Sequence, residues 1–247
     1  MKDSLKSTVT RGKTNRSHIS TDTDNPTDIE KIRKLFEQYL FNSDEKLFDY
    51  IENEVEIFQY RLQNISGIFY RGLNEKYRCK IIGCKIGPPK KPIANRYNDE
   101  NEQALYLIDN IDFLPREINS NKILLQNYKI PIDELNIADI SSENKNIDNN
   151  LSIIFDICET GRISDQINIE ETLKNSGKSK YLISQKIAGI FKKFGWEGLF
   201  IPGVQGDKNQ HYHNLCIFYP ALKKWEKWTI GNYKECDIQQ NINSEET

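Results

Sequence analysis

A change in the spacing of apolar residues near position 65 limits the folds open to this 247-residue chain. Between residues 27 and 61 the apolar side chains recur every three or four positions, as they do in amphipathic helices. From Ile65 onward the chain instead carries short runs of β-branched and aromatic residues, a pattern typical of strands. Strands and helices that follow one another without a regular βαβ alternation predict an α+β fold.

Single elements follow from the same patterns. Thr27 and Glu30 predict a capping box at the start of the first helix, and Ser43 is predicted to cap the second. Residues 151–158 are predicted to be a buried helix or a strand, since periodicity does not separate the two. Residues 181–194 predict a helix that stops at Gly195. Strands are predicted at residues 67–71, 80–84, 104–108, 122–130, 198–202 and 214–219.

Composition limits the possible partners. With 34 basic and 36 acidic residues, the net charge is −2, which favours neither nucleic acid nor a membrane as the main partner. The apolar runs are about five residues long, against about 20 for a membrane span, and no secretory signal is recognisable. Five scattered cysteines fit a reducing compartment, so we expect a cytoplasmic protein.

Several familiar motifs are absent from the sequence. Residues 176–179 resemble the end of a phosphate-binding loop, but Thr172 occupies the position that requires glycine. His211 and His213 lie on one side of an extended segment without a nearby third ligand, so we expect no metal. There is also no GxSxG motif of the kind that presents a nucleophilic serine.

Four polar residues on consecutive elements form the candidate site: Arg71, Arg96, Tyr106 and Glu117. Taken singly, each has an ordinary explanation as a surface cation, a core aromatic or a solvated carboxylate. Together they could converge on one pocket that combines positive charge, an aromatic ring and a carboxylate.

The order of short motifs around these residues resembles that of the RES domain, a family that includes NAD⁺-destroying toxins of toxin–antitoxin pairs. The first half of the match is Tyr70-Arg71, Pro88-Pro89, Arg96-Tyr97-Asn98, Leu105-Tyr106-Leu107 and Arg116-Glu117-Ile118. The second half comprises residues 135–139, 181–185, 194–198, 200–204 and 213–218. The resemblance implies an α+β fold with a largely antiparallel mixed sheet and flanking helices, related to that of ADP-ribosyltransferases.

The resemblance also implies roles for individual residues. Arg71, Tyr106 and Glu117 match catalytic positions, and Arg71 and Arg96 match the residues that hold the NAD⁺ phosphates and ribose. From the positive charge that builds on the ribose during cleavage, we expect Glu117 to stabilise the ribose cation. Tyr106 is expected to stack on the nicotinamide. The further residues expected to bind NAD⁺ are Tyr70, Tyr97, Gly203, Val204 and Asn214. Gly203 departs from the family, in which many members have serine, although its N–H could face a phosphate.

The implied activity is cleavage of the nicotinamide–ribose bond, by hydrolysis or with inorganic phosphate as co-substrate, in a toxin whose antitoxin would be a helix-turn-helix protein. Two alternatives stay open. The chain could transfer ADP-ribose to a macromolecule, or it could be a catalytically impaired RES-like module that binds another protein. Self-association into a homo-oligomer is compatible with either.

The domain boundaries follow from composition and from the extent of the resemblance. Residues 1–26 contain too few aliphatic side chains to offset their ordering entropy, so we expect a flexible tail. A helical extension over 27–64, a RES-like catalytic domain over 65–222 and a C-terminal segment over 223–247 complete the expected organisation.

Overall fold

The computed structural model describes residues 27–63, 65, 67–80, 84–91, 93–141, 149–203 and 212–237. The expected N-terminal tail, Val204, His211 and the last ten residues lie outside these ranges. None of the described helices is long and apolar enough to cross a membrane.

Helices in the described residues fall into two groups, one before the sheet begins and one interspersed with its strands. The helices are α1 (Asp28–Asn42), α2 (Lys46–Glu56), α3 (Leu114–Ile118), α4 (Asn149–Thr160), α5 (Ile169–Asn175), α6 (Leu182–Lys193) and α7 (Trp225–Trp228). The predicted capping box at Thr27 and Glu30 is present. Residues 151–158 belong to α4, which resolves the ambiguity between helix and strand in favour of helix.

Within the described residues, seven strands form one mixed sheet in the order β4-β7-β8-β2-β1-β3-β9. Its strands are β1 (Ile68–Asn74), β2 (Ala104–Ile108), β3 (Lys122–Lys129), β4 (Ile137–Asp139), β7 (Gly198–Pro202), β8 (His213–Phe218) and β9 (Thr229–Asp237). A separate two-stranded hairpin joins β5 (Arg162–Ser164) to β6 (Ile167–Asn168). Only β4 and β7 pair in parallel among these strands. The predicted α+β fold is confirmed.

Each face of the sheet is covered by its own hydrophobic core, because successive side chains of a strand point to opposite faces. On β2, Ala104 and Tyr106 face the core that contains α1, α2, α4 and α6. Leu105 and Leu107 face a second core. The two N-terminal helices therefore pack on the sheet as part of the main hydrophobic core.

One local prediction is wrong, a second falls largely outside the described residues, and one strand was not predicted. Ser43 does not cap α2; it closes α1 in a left-handed conformation, with φ of 55°, and Asp44 instead accepts from the Lys46 N–H at 3.1 Å. Lys80 ends a 3₁₀ helix and Cys84 lies in a bend, so neither end of the strand predicted at 80–84 is extended; residues 81–83 between them lie outside the described residues. The strand β9 was not predicted, because it is a mostly exposed edge strand without an alternating apolar pattern.

Gly198 provides a test of how closely the central strands pack. A β-carbon there would lie 2.6 Å from the Cys216 carbonyl oxygen and 2.8 Å from Ile137 Cδ1. We expect Gly198→Ala to lower the free energy of unfolding by about 1–3 kcal/mol, the usual effect of overpacking. Urea denaturation measures the change, with Gly189→Ala as the matched control because nothing lies within 4 Å of the added methyl group. A wild-type midpoint for Gly198→Ala would contradict the prediction.

Candidate active site

The sheet opens between β1 and β2. These neighbours are in register at one pair, Tyr70 with Ile108, whereas β1 pairs with β3 over its full length and β2 with β8 over its full length. A cleft of about 420 Å³ lies where the two strands separate, and its walls include residues 70–72 and 106–108.

Most of the residues predicted from sequence line this one cleft. Seven of them are present: Tyr70, Arg71, Arg96, Tyr97, Tyr106, Glu117 and Asn214. Gly203 does not line it, and Val204 lies outside the described residues. The structure thus brings together side chains from β1, the turn before β2, β2 itself, α3 and β8.

Arg71 is a partly buried cation at the point of separation. Its Nη1 donates to the Tyr106 carbonyl oxygen at 3.0 Å, which supplies a partner to β2 where β1 does not pair with it. Its Nε is buried without a hydrogen-bond partner among the described residues. Burial lowers the pKa of Arg71, but a guanidinium remains charged in proteins.

No described carboxylate forms an ion pair with Arg71, although the residue lines the cleft. A buried charge is costly unless it is paired. The guanidinium would therefore gain from an anionic ligand that enters the cleft, and its fork of donors matches phosphate oxygens.

Arg96, by contrast, is already engaged with the end of α4. Its Nη1 donates to the carbonyl oxygens of Cys158 at 2.6 Å and Glu159 at 3.1 Å, the favourable position for a cation at a helix C-terminus. The Glu159 and Glu170 carboxylates lie 3.7 and 3.9 Å away from its guanidinium nitrogens. Arg96 therefore brings less uncompensated positive charge to the cleft than Arg71.

Tyr106 holds the turn that carries Arg96. Its hydroxyl donates to Asn98 Oδ1 and accepts from the Tyr97 N–H, both at 2.9 Å. The Gln185 side chain holds the same turn from α6 by donating to the carbonyls of Asn95 and Asn98. Burial raises the pKa of the Tyr106 hydroxyl, so this group stays protonated and fixed.

Glu117 reaches the cleft from the one-turn helix α3. Gly72 allows this helix to approach β1, since a β-carbon at residue 72 would lie 2.2 Å from Ile118 Cδ1. The Glu117 side chain is exposed, and its carboxylate accepts a hydrogen bond from the Tyr212 hydroxyl. Sequence reasoning did not find Tyr212, which is remote from Glu117 along the chain and belongs to no motif.

The Gly203 N–H, which the sequence suggested could face a phosphate, already has a hydrogen-bond partner within the protein. This N–H donates to the Tyr212 carbonyl oxygen at 2.8 Å, because it continues the pairing of β7 with β8. Its position beside Tyr212, outside the cleft lining, gives Gly203 a packing role instead.

Glu159 is a further cleft residue that the sequence did not indicate. It is 8% exposed, lines the cleft and accepts a hydrogen bond from the Tyr97 hydroxyl. Burial raises the pKa of its carboxyl group to about 7, although Arg96 opposes the shift. Glu159 follows the mostly apolar stretch 151–158, which also contains the exposed Asp156, so the sequence does not indicate which acidic residue is buried.

The raised pKa of Glu159 predicts a pH-dependent stability. Because the folded state holds this proton up to about pH 7 while the ordinary value is 4.5, the free energy of unfolding should fall as the pH rises through this window. The full effect is on the order of 3 kcal/mol. Glu159→Gln should flatten this part of the profile in urea titrations at several pH values. Exposed Glu56→Gln is the control, and identical profiles for the two variants would contradict the prediction.

Groups of three or more His, Cys, Asp or Glu that could hold a metal ion are absent from the described part of the chain. No family model matches the chain, and no curated protein matches it. Among solved structures, a chain in the crystal structure of the M. tuberculosis MbcT–MbcA toxin–antitoxin complex is similar, with a TM-score of 0.37 and 11% sequence identity. The similarity covers 77% of this chain and 92% of that chain.

Proposed function

We propose that this chain cleaves the nicotinamide–ribose bond of NAD⁺ in the cleft between β1 and β2. The observation that carries the proposal is the convergence of Arg71, Arg96, Tyr106 and Glu117 on one cleft, although they come from separate segments. The same four residues belong to the motifs that resemble the RES domain. The cleft offers the groups that this substrate needs: a cation for the pyrophosphate and a carboxylate for the ribose.

Glu117 would supply the main electrostatic contribution to the reaction. Nicotinamide in NAD⁺ is already cationic, so it leaves with the electron pair of the C–N bond without being protonated. Positive charge then builds on the ribose ring, as in the oxocarbenium-like transition state of glycosidases. A carboxylate beside the ring stabilises that charge. The oxygen of water or of inorganic phosphate then bonds to the ribose carbon, and water releases its proton to the solvent.

Arg71 would hold the pyrophosphate, because its buried guanidinium lacks a carboxylate partner among the described residues and lines the cleft. Arg96 and Tyr106 would act mainly by shaping the opposite wall, given their contacts with α4 and the turn at 95–98. In this arrangement the phosphates of the substrate pair with the Arg71 guanidinium, which has no carboxylate partner among the described residues.

Transfer of ADP-ribose to a macromolecule is the second candidate. One observation favours it: Glu117 is exposed, so a large acceptor could approach the ribose carbon.

The resemblance to RES toxins further supports a toxin role in the cytoplasm, with a helix-turn-helix antitoxin as the partner.

Release of nicotinamide from NAD⁺ by the purified full chain tests the proposed activity. We expect Glu117→Gln to reduce the rate by at least about 100-fold, in the range for loss of a group that stabilises transition-state charge, and to leave the fold intact by circular dichroism. Exposed Glu56→Gln in α2 is the control. A fully active Glu117→Gln enzyme would remove the role assigned to Glu117. No release by the wild-type chain, with or without phosphate, would exclude both enzymatic functions, and labelling of a macromolecule by radioactive NAD⁺ would favour the transferase.

Arg71 can be tested by a substitution that keeps its charge. Arg71→Lys should raise KM for NAD⁺ by about tenfold or more, because an ammonium group cannot reproduce the bidentate contact of a guanidinium with phosphate. Steady-state kinetics of nicotinamide release measure the change, with exposed Arg33→Lys in α1 as the control. An unchanged KM would show that Arg71 does not bind the substrate phosphates.

A further inference from the structure

Tyr212 connects the candidate catalytic carboxylate to the interior of the protein. Its side chain is 2% exposed, and its ring stacks on Phe113 with centroids 4.3 Å apart and an angle of 13°. Phe113 immediately precedes α3, the helix that carries Glu117. The Tyr212 hydroxyl donates to Glu117 Oε1, so one side chain makes contact with both the start of this helix and its carboxylate.

Gly203 provides the space that the Tyr212 ring occupies. A β-carbon at residue 203 would lie 2.0 Å from Tyr212 Cε2 and 2.1 Å from its Cζ, far inside van der Waals contact. The ring also stacks on Phe113, a contact that any displacement of the ring would disturb. A hydrogen bond of 2.8 Å from the Gly203 N–H to the Tyr212 carbonyl fixes the two backbones relative to each other.

The position of Glu117 leaves its side chain free to move unless a neighbouring group holds it. The helix α3 is five residues long, and the Glu117 side chain is exposed. A free glutamate side chain samples many rotamers, and confining it costs conformational entropy. A buried and fixed hydroxyl donor offsets this cost through a charge-assisted hydrogen bond, which is stronger than a neutral one.

We propose that Tyr212 is a positioning residue for Glu117 and that Gly203 is required because only glycine leaves room for the Tyr212 ring. This inference rests on the proposed function of Glu117. It gives the glycine a defined role in the site: residue 203 acts through Tyr212 and supplies no group to the substrate.

Tyr212→Phe keeps the ring and removes the hydroxyl. We expect kcat for nicotinamide release to fall by about tenfold or more, the measure of a hydrogen bond to a charged group, while KM for NAD⁺ stays within about twofold. A fall in kcat without a change in KM would distinguish a positioning role from a general loss of packing, which would not act on kcat alone. In the Glu117→Gln background, the substitution should leave NAD⁺ binding unchanged. Tyr219→Phe, at an exposed tyrosine, is the matched control.

Substitution of Gly203 tests the steric part of the proposal. Gly203→Ala and Gly203→Ser should both lower kcat, since either side chain displaces the ring. The double variant Gly203→Ala with Tyr212→Phe should be no slower than Gly203→Ala alone, because the hydroxyl is already out of place. Gly189→Ala is the control, with open space around the added methyl group. All assays are run well below the melting temperature of each variant.

A stability measurement separates this inference from the proposed activity. Tyr212→Phe and Glu117→Ala should be non-additive in the free energy of unfolding, because each removes one partner of the same hydrogen bond. If the wild-type chain releases no nicotinamide, the proposed function fails. The double-mutant cycle of Tyr212→Phe and Glu117→Ala then decides by itself whether Tyr212 holds Glu117. Additive effects, or wild-type kcat in either Tyr212→Phe or Gly203→Ala, would overturn the inference.

Discussion

The separation of β1 from β2 is the constraint on which the candidate site depends. Adjacent strands normally satisfy each other's main-chain groups, and groups left unpaired in a buried setting are costly. Here the two strands are in register at one pair, and the Arg71 guanidinium donates to the Tyr106 carbonyl beyond it. The opening between the strands and the cation at its edge therefore depend on each other, because the same hydrogen bond satisfies the Tyr106 carbonyl and holds the Arg71 side chain in place.

The two walls of the cleft have different electrostatic character. On one wall, Arg96 is bound by helix carbonyls and lies near the buried Glu159, so its charge is largely compensated. On the other wall, Glu117 projects from a one-turn helix and is held by Tyr212. Arg71 lines the same cleft and has no carboxylate partner among the described residues, which gives the cleft a defined place for an anion.

Much of the fold was predictable, since it depends on local patterns. The strands at 104–108 and 198–202 and the helix ending before Gly195 occur where apolar spacing and turn residues placed them. The element that was misassigned and the strand that was missed both depended on tertiary context, which local sequence patterns do not contain. Ser43 ends one helix where the pattern also fitted the start of the next, and β9 is an edge strand whose exposed side chains do not alternate.

By itself the sequence determined the α+β class and selected a set of polar residues, because hydrophobic spacing and motif order are properties of the chain alone. Only the tertiary structure decided what these residues contact. The positive charge of Arg96 is compensated by carbonyl oxygens at the end of α4. Glu159, at the end of the same helix, lines the cleft. The Tyr212 hydroxyl donates to the Glu117 carboxylate, 95 positions away in the sequence. Charge compensation, burial and steric fit arise between segments that are distant along the chain, so they exist only once those segments are packed together.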